Sequence, residues 1–227
     1  MLFRSRMPYR DDIAVRLRSS SAPSGTVSTD WRGGLPVLAG DGVVLRELRI
    51  SDAPALHALL STEEVARFIS PPPSTVEGFE RFIAWTLEQR IAGSYVCFGV
   101  TLRGFDTAIG IIQIRARELD FSTAEWGFAI GSAFWGTGVF GSSATLALDF
   151  AFGVLEMHRL EARASLLNGR GQGALLKLGA VKEGVLRKSL RRGDEVLDQA
   201  LYTILDEEWQ DRRRRTVADD ERTPAVH

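Results

Sequence analysis

A single cysteine, Cys97, stands in the 227-residue chain. No internal disulfide can therefore form, and no cysteine-rich metal site can be built. Histidine is nearly as scarce. His57, His158 and His227 are too scattered to match a metal-ligand spacing, so no metal is expected. The chain has no run of 18 apolar residues, which argues against a membrane span. Arginines at 4, 6, 10, 16 and 18 are not followed by an apolar h-region, so no secretory signal is expected. A net charge of -1 and a pI near 6.3 leave no overall basic field to recruit nucleic acid. These absences together predict a reduced, cytoplasmic protein with no membrane and no nucleic-acid partner.

What is present suits one domain with tails. The apolar fraction of 44% is enough for a core. Residues 1–37 are rich in Ser, Arg, Gly and Pro without lasting periodicity, and they read as a mobile arm. At the other end, residues 211–227 carry four consecutive arginines beside acidic residues and read as a charged, solvated tail.

Between these ends the pattern alternates strands and helices. Residues 43–48 alternate like a half-buried strand. Ser51 and Asp52 offer an N-cap before Pro54 and the apolar run 55–60. Ser74 with Glu77 makes an S-x-x-E capping box for a helix carrying Phe79, Ile83 and Trp85. Strands are predicted at 95–103, 108–115 and 124–130, with short connections that favour antiparallel pairing. Cys97 alternates within an apolar strand and reads as a core thiol. A long helix starts near Gly138, and its Ala144, Leu148, Ala151, Phe152 and Leu155 form one buried stripe. A strand at 159–166, a helix at 170–178 closed by Gly179, and a hairpin around Arg192-Gly193-Asp194 complete the chain. The sum is a mixed α/β (α+β) sheet.

Gly136-Thr137-Gly138-Val139-Phe140-Gly141 falls between a strand and a helix and fits G-x-G-x-x-G. Glycines let backbone amides turn inward, and the helix N-terminus adds positive dipole, so a phosphate is a sensible ligand. A dinucleotide fold would place this motif in the first turn of a parallel series, with a ribose-binding acid at the end of the next strand. Here an antiparallel run precedes it, and Glu161 stands near the start of its strand. A glycine turn without a ligand is the third reading.

The ordered motifs resemble the RimJ/RimL-type branch of the GNAT acetyltransferase superfamily. They are Ala124-Glu125-Trp126-Gly127-Phe128-Ala129-Ile130, Phe134-Trp135-Gly136-Thr137-Gly138, Asp149-Phe150-Ala151-Phe152, Asn168, Leu176-Lys177-Leu178-Gly179-Ala180 and Glu208-Trp209. The resemblance spans roughly residues 38–210, the expected acetyltransferase domain. It implies a central, mostly antiparallel sheet of about six to seven strands with helices on both faces. The fourth and fifth strands would splay apart in a V that receives the pantetheine arm.

The resemblance also implies site residues. Phe128, Ala129 and Ile130 would offer backbone groups to the pantetheine. Trp135, Gly136, Thr137, Gly138, Val139, Phe140, Gly141 and Ser142 would surround the pyrophosphate. Asn168 would bond the pantetheine or set the loop, and Arg170 is a candidate phosphate contact. Glu125 is the candidate base, acting through a water. Trp126 and Trp135 are candidates to line the acceptor cleft. The implied activity is transfer of an acetyl group from acetyl-CoA, a co-substrate, to a primary amine of a protein N-terminus or a small molecule. A homodimer is left open. A non-catalytic acyl-CoA-binding regulatory domain and transfer of a longer acyl group such as succinyl are the alternatives. Leu175 and Gly171 hold the places of the family's usual tyrosine and serine, so no general acid is assigned.

Overall fold

Two adjacent strands that bury both of their faces decide the layering. The computed structural model describes residues 30–118 and 121–222, with side chains to 216; of the arm expected at residues 1–37, residues 1–29 lie outside the described residues. Strands β3 (Tyr95–Leu102) and β4 (Gly110–Ala116) pair antiparallel. Their Tyr95, Cys97 and Ile111 pack beneath helices α1 (Ala53–Leu60), α2 (Glu63–Ala66) and α3 (Val76–Ile91). Val96, Phe98, Val100, Ile112 and Ile114 pack on the opposite side, with α4 (Val139–Gly153). Successive side chains of a strand point to opposite faces, so apolar residues at every position require helices on both sides. Cys97 is buried as expected, and burial pushes its thiol pKa up.

The remaining strands are β1 (Leu38–Ala39), β2 (Val43–Glu47), β5 (Thr123–Ile130), β6 (Arg159–Ser165), β7 (Val181–Arg192) and β8 (Glu195–Leu205). All eight form one sheet in the order β1-β2-β3-β4-β5-β6-β8-β7. Every neighbouring pair is antiparallel except β5 with β6. That pair is joined by α4, the crossover a parallel pair requires. The strand beyond the expected number is β1, whose two residues are too few to show alternation. Residues just before it are also packed: Trp31 meets Phe121 edge-on at 5.5 Å, and Arg90 donates to the Arg32 carbonyl.

Two helix starts differ from expectation. Thr75, not Ser74, caps α3, accepting from the Gly78 amide at 3.1 Å. Pro73 packs so closely that a Cβ on Gly78 would lie 2.8 Å from it, so a glycine suits that place in the first turn. Thr and Ser are comparable caps, so composition does not separate the two registers. Asp52 makes no side-chain cap for α1. Its carboxylate instead takes both terminal nitrogens of Arg46 at 2.8 Å and the Arg49 amide at 2.8 Å. Both partners of this ion pair are buried.

The expected charged tail is partly a helix. Helices α5 (Gly169–Lys177) and α6 (Asp206–Arg222) lie on the α4 side, where Leu175 and Trp209 join the core. The boundary expected at 210 therefore falls inside α6. Acidic residues 206–208 in its first turn suit the positive end of the helix dipole. Trp209 anchors it, buried and donating to Asp149 at 2.9 Å.

Removing one partner of a buried ion pair strands the other. Asp52→Ala should lower the unfolding free energy by about 3–5 kcal/mol, read from urea denaturation with an unchanged m-value. A second pair responds to pH. Arg159 grips the Glu183 carboxylate at 3.0 and 2.6 Å, and Thr203 adds a bond at 2.7 Å. These hold Glu183 below its usual value of 4.5. Its contribution is thus complete above that value and lost as pH falls through the lowered one. Glu183→Gln should flatten the acid limb of a melting-temperature-against-pH curve.

Candidate active site

The site begins where the parallel strands separate. β5 and β6 pair at Thr123↔Arg159, Ala124↔Leu160 and Glu125↔Glu161. Beyond Glu125, β5 stays with β4, while β6 continues with β8. Residues 126–130 of β5 thus face a gap, with backbone groups that the ladder on that side does not use. A V opens at this point, between the strands that the sequence reading numbered fourth and fifth.

The gap runs into the glycine turn. Gly136 and Gly138 adopt φ of 78° and 89°, a region where a Cβ meets the backbone and glycine is favoured. Gly138 is the N-cap of α4, no side chain caps that helix, and no acid lies in its first turn. The first amides of a helix have no partner within it, so this end is suited to anions. Thr137 stiffens the turn by donating its hydroxyl to the Phe134 carbonyl at 2.8 Å. Trp135 donates its indole N–H to the Ile130 carbonyl at 2.9 Å. From across the gap, the Arg170 guanidinium stacks on the Trp135 ring at 3.9 Å, a cation–π contact.

Gap and turn share one cavity of about 1420 Å³. Its lining includes Phe128, Ala129, Ile130, Trp135, Gly136, Gly138, Phe140, Gly141, Asn168 and Arg170 from the predicted set. Thr137, Val139 and Ser142 belong to the same turn but do not line it. The Val139 side chain is turned into the core, and the Ser142 amide bonds the Gly138 carbonyl. Trp126, a cleft candidate, is buried in the core. Phe140 leans onto Phe128, ring centres 4.2 Å apart, and so forms a wall of the cavity.

Glu125 stands at the apex of the V, on the last paired register, and is not among the residues lining the cavity. Its carboxylate meets Arg163 at 3.2 Å and Arg117 at 3.4 Å. Asn168 caps α5, its Oδ1 accepting the Gly171 amide at 2.9 Å. A Cβ at Gly171 would lie 2.5 Å from Asn168 Nδ2, so a side chain there would make the asparagine shift. Leu175, in the tyrosine's place, is fully buried. Neither described tyrosine lines the cavity: Tyr95 bonds Gln113, and Tyr202 bonds Gln172.

The sequence reading missed other lining residues. Glu64, Arg67, Phe68 and Ile69 come from α2 and the segment after it, while Lys177, Arg212, Arg213 and Thr216 come from α5 and α6. The acid-then-base order of residues 206–215 was the available signal for α6.

The family model for the acetyltransferase (GNAT) domain matches residues 43–181. The chain belongs to the GNAT acetyltransferase family. The uncharacterized N-acetyltransferase YoaA of Bacillus subtilis is 28% identical over 175 residues, covering 75% of this chain and 97% of the relative. Among solved structures, a T. thermophilus protein described as an acetyltransferase is 31% identical, with a TM-score of 0.68 over 81% of this chain and 96% of that one. Mycobacterium smegmatis RimJ in complex with CoA-disulfide shares the fold, at 22% identity and a TM-score of 0.68 over 76% of this chain and 87% of that one. This GNAT chain is an acyltransferase by family. Among the described residues, no helix is long and apolar enough to cross a membrane.

The two glycine types in the turn should respond differently. Gly138→Ala forces a side chain into a left-handed conformation and should cost about 1–2 kcal/mol. Gly141→Ala, inside α4 and with nothing within 4 Å of the added carbon, should be neutral or stabilising by up to about 1 kcal/mol. Thermal melts of the two variants against the parent check the contrast.

Proposed function

We propose that the protein transfers an acetyl group from acetyl-CoA to a primary amine. One observation carries this reading: the gap between β5 and β6 opens into the glycine turn at the α4 N-terminus, within one cavity. An extended arm and a diphosphate need those two features in that order. RimJ of M. smegmatis, which has the same fold, is described with a CoA-disulfide.

The amides at the start of α4 and the turn from Gly136 to Gly138 would hold the diphosphate. The gap-side edge of β5 from Phe128 to Ile130, apart from the Ile130 carbonyl that Trp135 occupies, would pair with the pantetheine amides as a further strand does. Bound acetyl-CoA would supply an activated acyl carbon on a thiol leaving group, which a neutral amine can attack. A β5 amide near Ile130 can polarise the carbonyl oxygen, as a preorganised donor does in acyl transfer. Glu125, aimed by Arg117 and Arg163, accepts the amine proton through a water. With Leu175 in the core and no described tyrosine lining the cavity, the sulfur leaves as a thiolate without a side-chain acid of that kind and takes its proton from water. Its ordinary pKa near 8.5 makes that departure feasible. The acceptor enters beside Arg67, Phe68 and Ile69, which lie across the sheet from α4.

Free-thiol release with acetyl-CoA and a panel of peptides and small amines tests the proposal. Glu125→Gln should lower kcat by about 10²-fold while the stabilisation by acetyl-CoA persists. Saturation at 100 times the dissociation constant should add about 2.7 kcal/mol of stability. Stabilisation without turnover on any amine would make this a binding module. Turnover only with succinyl-CoA would reassign the donor. Neither stabilisation nor turnover would end the reading.

A further inference from the structure

Past the glycine turn the cavity continues between α4 and α5, and its floor there is nearly bare. Gly141 and Thr145 line it from α4, and Gly173 and Ala174 from α5. A Cβ added at Gly141 or Gly173 would meet nothing within 4 Å. Glycines stand at 169, 171 and 173, a composition unfavourable inside a helix, and two of them have a local reason. Gly171 makes room for the Asn168 cap, while Gly173 leaves open space beside α4.

The bare floor ends at a cluster of cations. Lys177, Arg212 and Arg213 line that end of the cavity. The lining acid, Glu64, belongs to α2 on the other face of the sheet. Two of the cations are held in place by the fold. Arg212 donates through Nη2 to the Lys177 carbonyl at 2.6 Å and packs over Gly179. Arg213 reaches Asp149 at 3.1 Å. Closing the end of α5 would account for Arg212 alone. A guanidinium has five donors, and one carbonyl occupies a single one. Arg213 is matched by Asp149, while among the described residues no carboxylate lies within 4 Å of Lys177 or Arg212.

We infer that Lys177, Arg212 and Arg213 form a receptor for the ribose 3′-phosphate of the coenzyme, with the adenosine on the bare floor beside Gly141 and Gly173. The inference rests on the acyl-CoA reading and extends it to a subsite contributed by the C-terminal helix. A phosphomonoester carries about -1.5 to -2 charges at neutral pH. Arginine forks match its oxygens, and lysine adds a point charge.

Calorimetric titration of the full-length protein with CoA and with dephospho-CoA, which lacks only the 3′-phosphate, tests it. CoA should bind about 10-fold more tightly or better at low salt, with the ratio shrinking as salt rises. Lys177→Gln and Arg212→Gln should each cut that ratio about threefold or more, leaving dephospho-CoA affinity unchanged. Arg215→Gln, exposed and outside the cavity lining, should not move it. Because Arg212 also ties α6 to α5, Lys177→Gln is decisive if the arginine variant folds poorly. Equal affinity for the two ligands overturns the receptor and leaves the acyl-CoA reading standing. An unchanged ratio in the folded lysine variant also overturns it. Binding of neither ligand overturns both.

Discussion

The partial pairing of β5 with β6 is the constraint on which the rest of the structure depends. Two parallel strands share three register positions and then part. Had they paired along their length, their backbone groups would be satisfied and no gap would exist. The strands can part because each has another neighbour, β4 for β5 and β8 for β6. The crossover through α4 sets the geometry of everything that follows. A parallel pair needs such a connection, and its helix must begin where the first strand ends. The glycine turn therefore stands at the mouth of the gap, and the helix dipole points at the space where a diphosphate would lie.

The two faces of the sheet divide the work. On one face the apolar positions of β2 to β6 close against α4, α5 and α6 in a continuous core. The other face is apolar only where α1 to α3 cover it. Over β5 and β6 the same face carries Glu125, Glu161, Arg159 and Arg163 instead. Four charges set close together are tolerable because each meets an opposite charge within 4 Å. A charge removed from water needs such a partner. The polar row begins at the apex of the V, so a half-buried carboxylate is held beside the gap.

Much of this was legible because it depends on short-range pattern. The stripe from Ala144 to Leu155 named the buried face of α4, and the structure buries every member. The alternation in residues 95–103 named β3, with Cys97 inside. Register details were less legible. Ser74 and Thr75 are equivalent as caps by composition, and the folded chain uses Thr75. Asp52 reads as a cap from its neighbours, yet Arg46 on β2 claims its carboxylate. The helix at the C-terminus was concealed by its charge. Its intrinsic preference is weak evidence beside a polar composition, and it is held by Trp209 and by arginines reaching α4 and α5.

The sequence by itself determined the family, the order of the elements and the glycine turn. Each of these is written in residues close together in the chain, where periodicity and left-handed glycines act locally. Tertiary structure alone decided which side chains share the cavity. Arg170 comes to lie on Trp135, and Lys177 beside Arg212, across 35 residues each. It also decided that Asn168 caps α5, that Leu175 belongs to the core, and that Glu125 is gripped by Arg163 from the next strand. Such relations follow from strand order and helix packing, which depend on the burial of the whole apolar surface rather than on any local stretch.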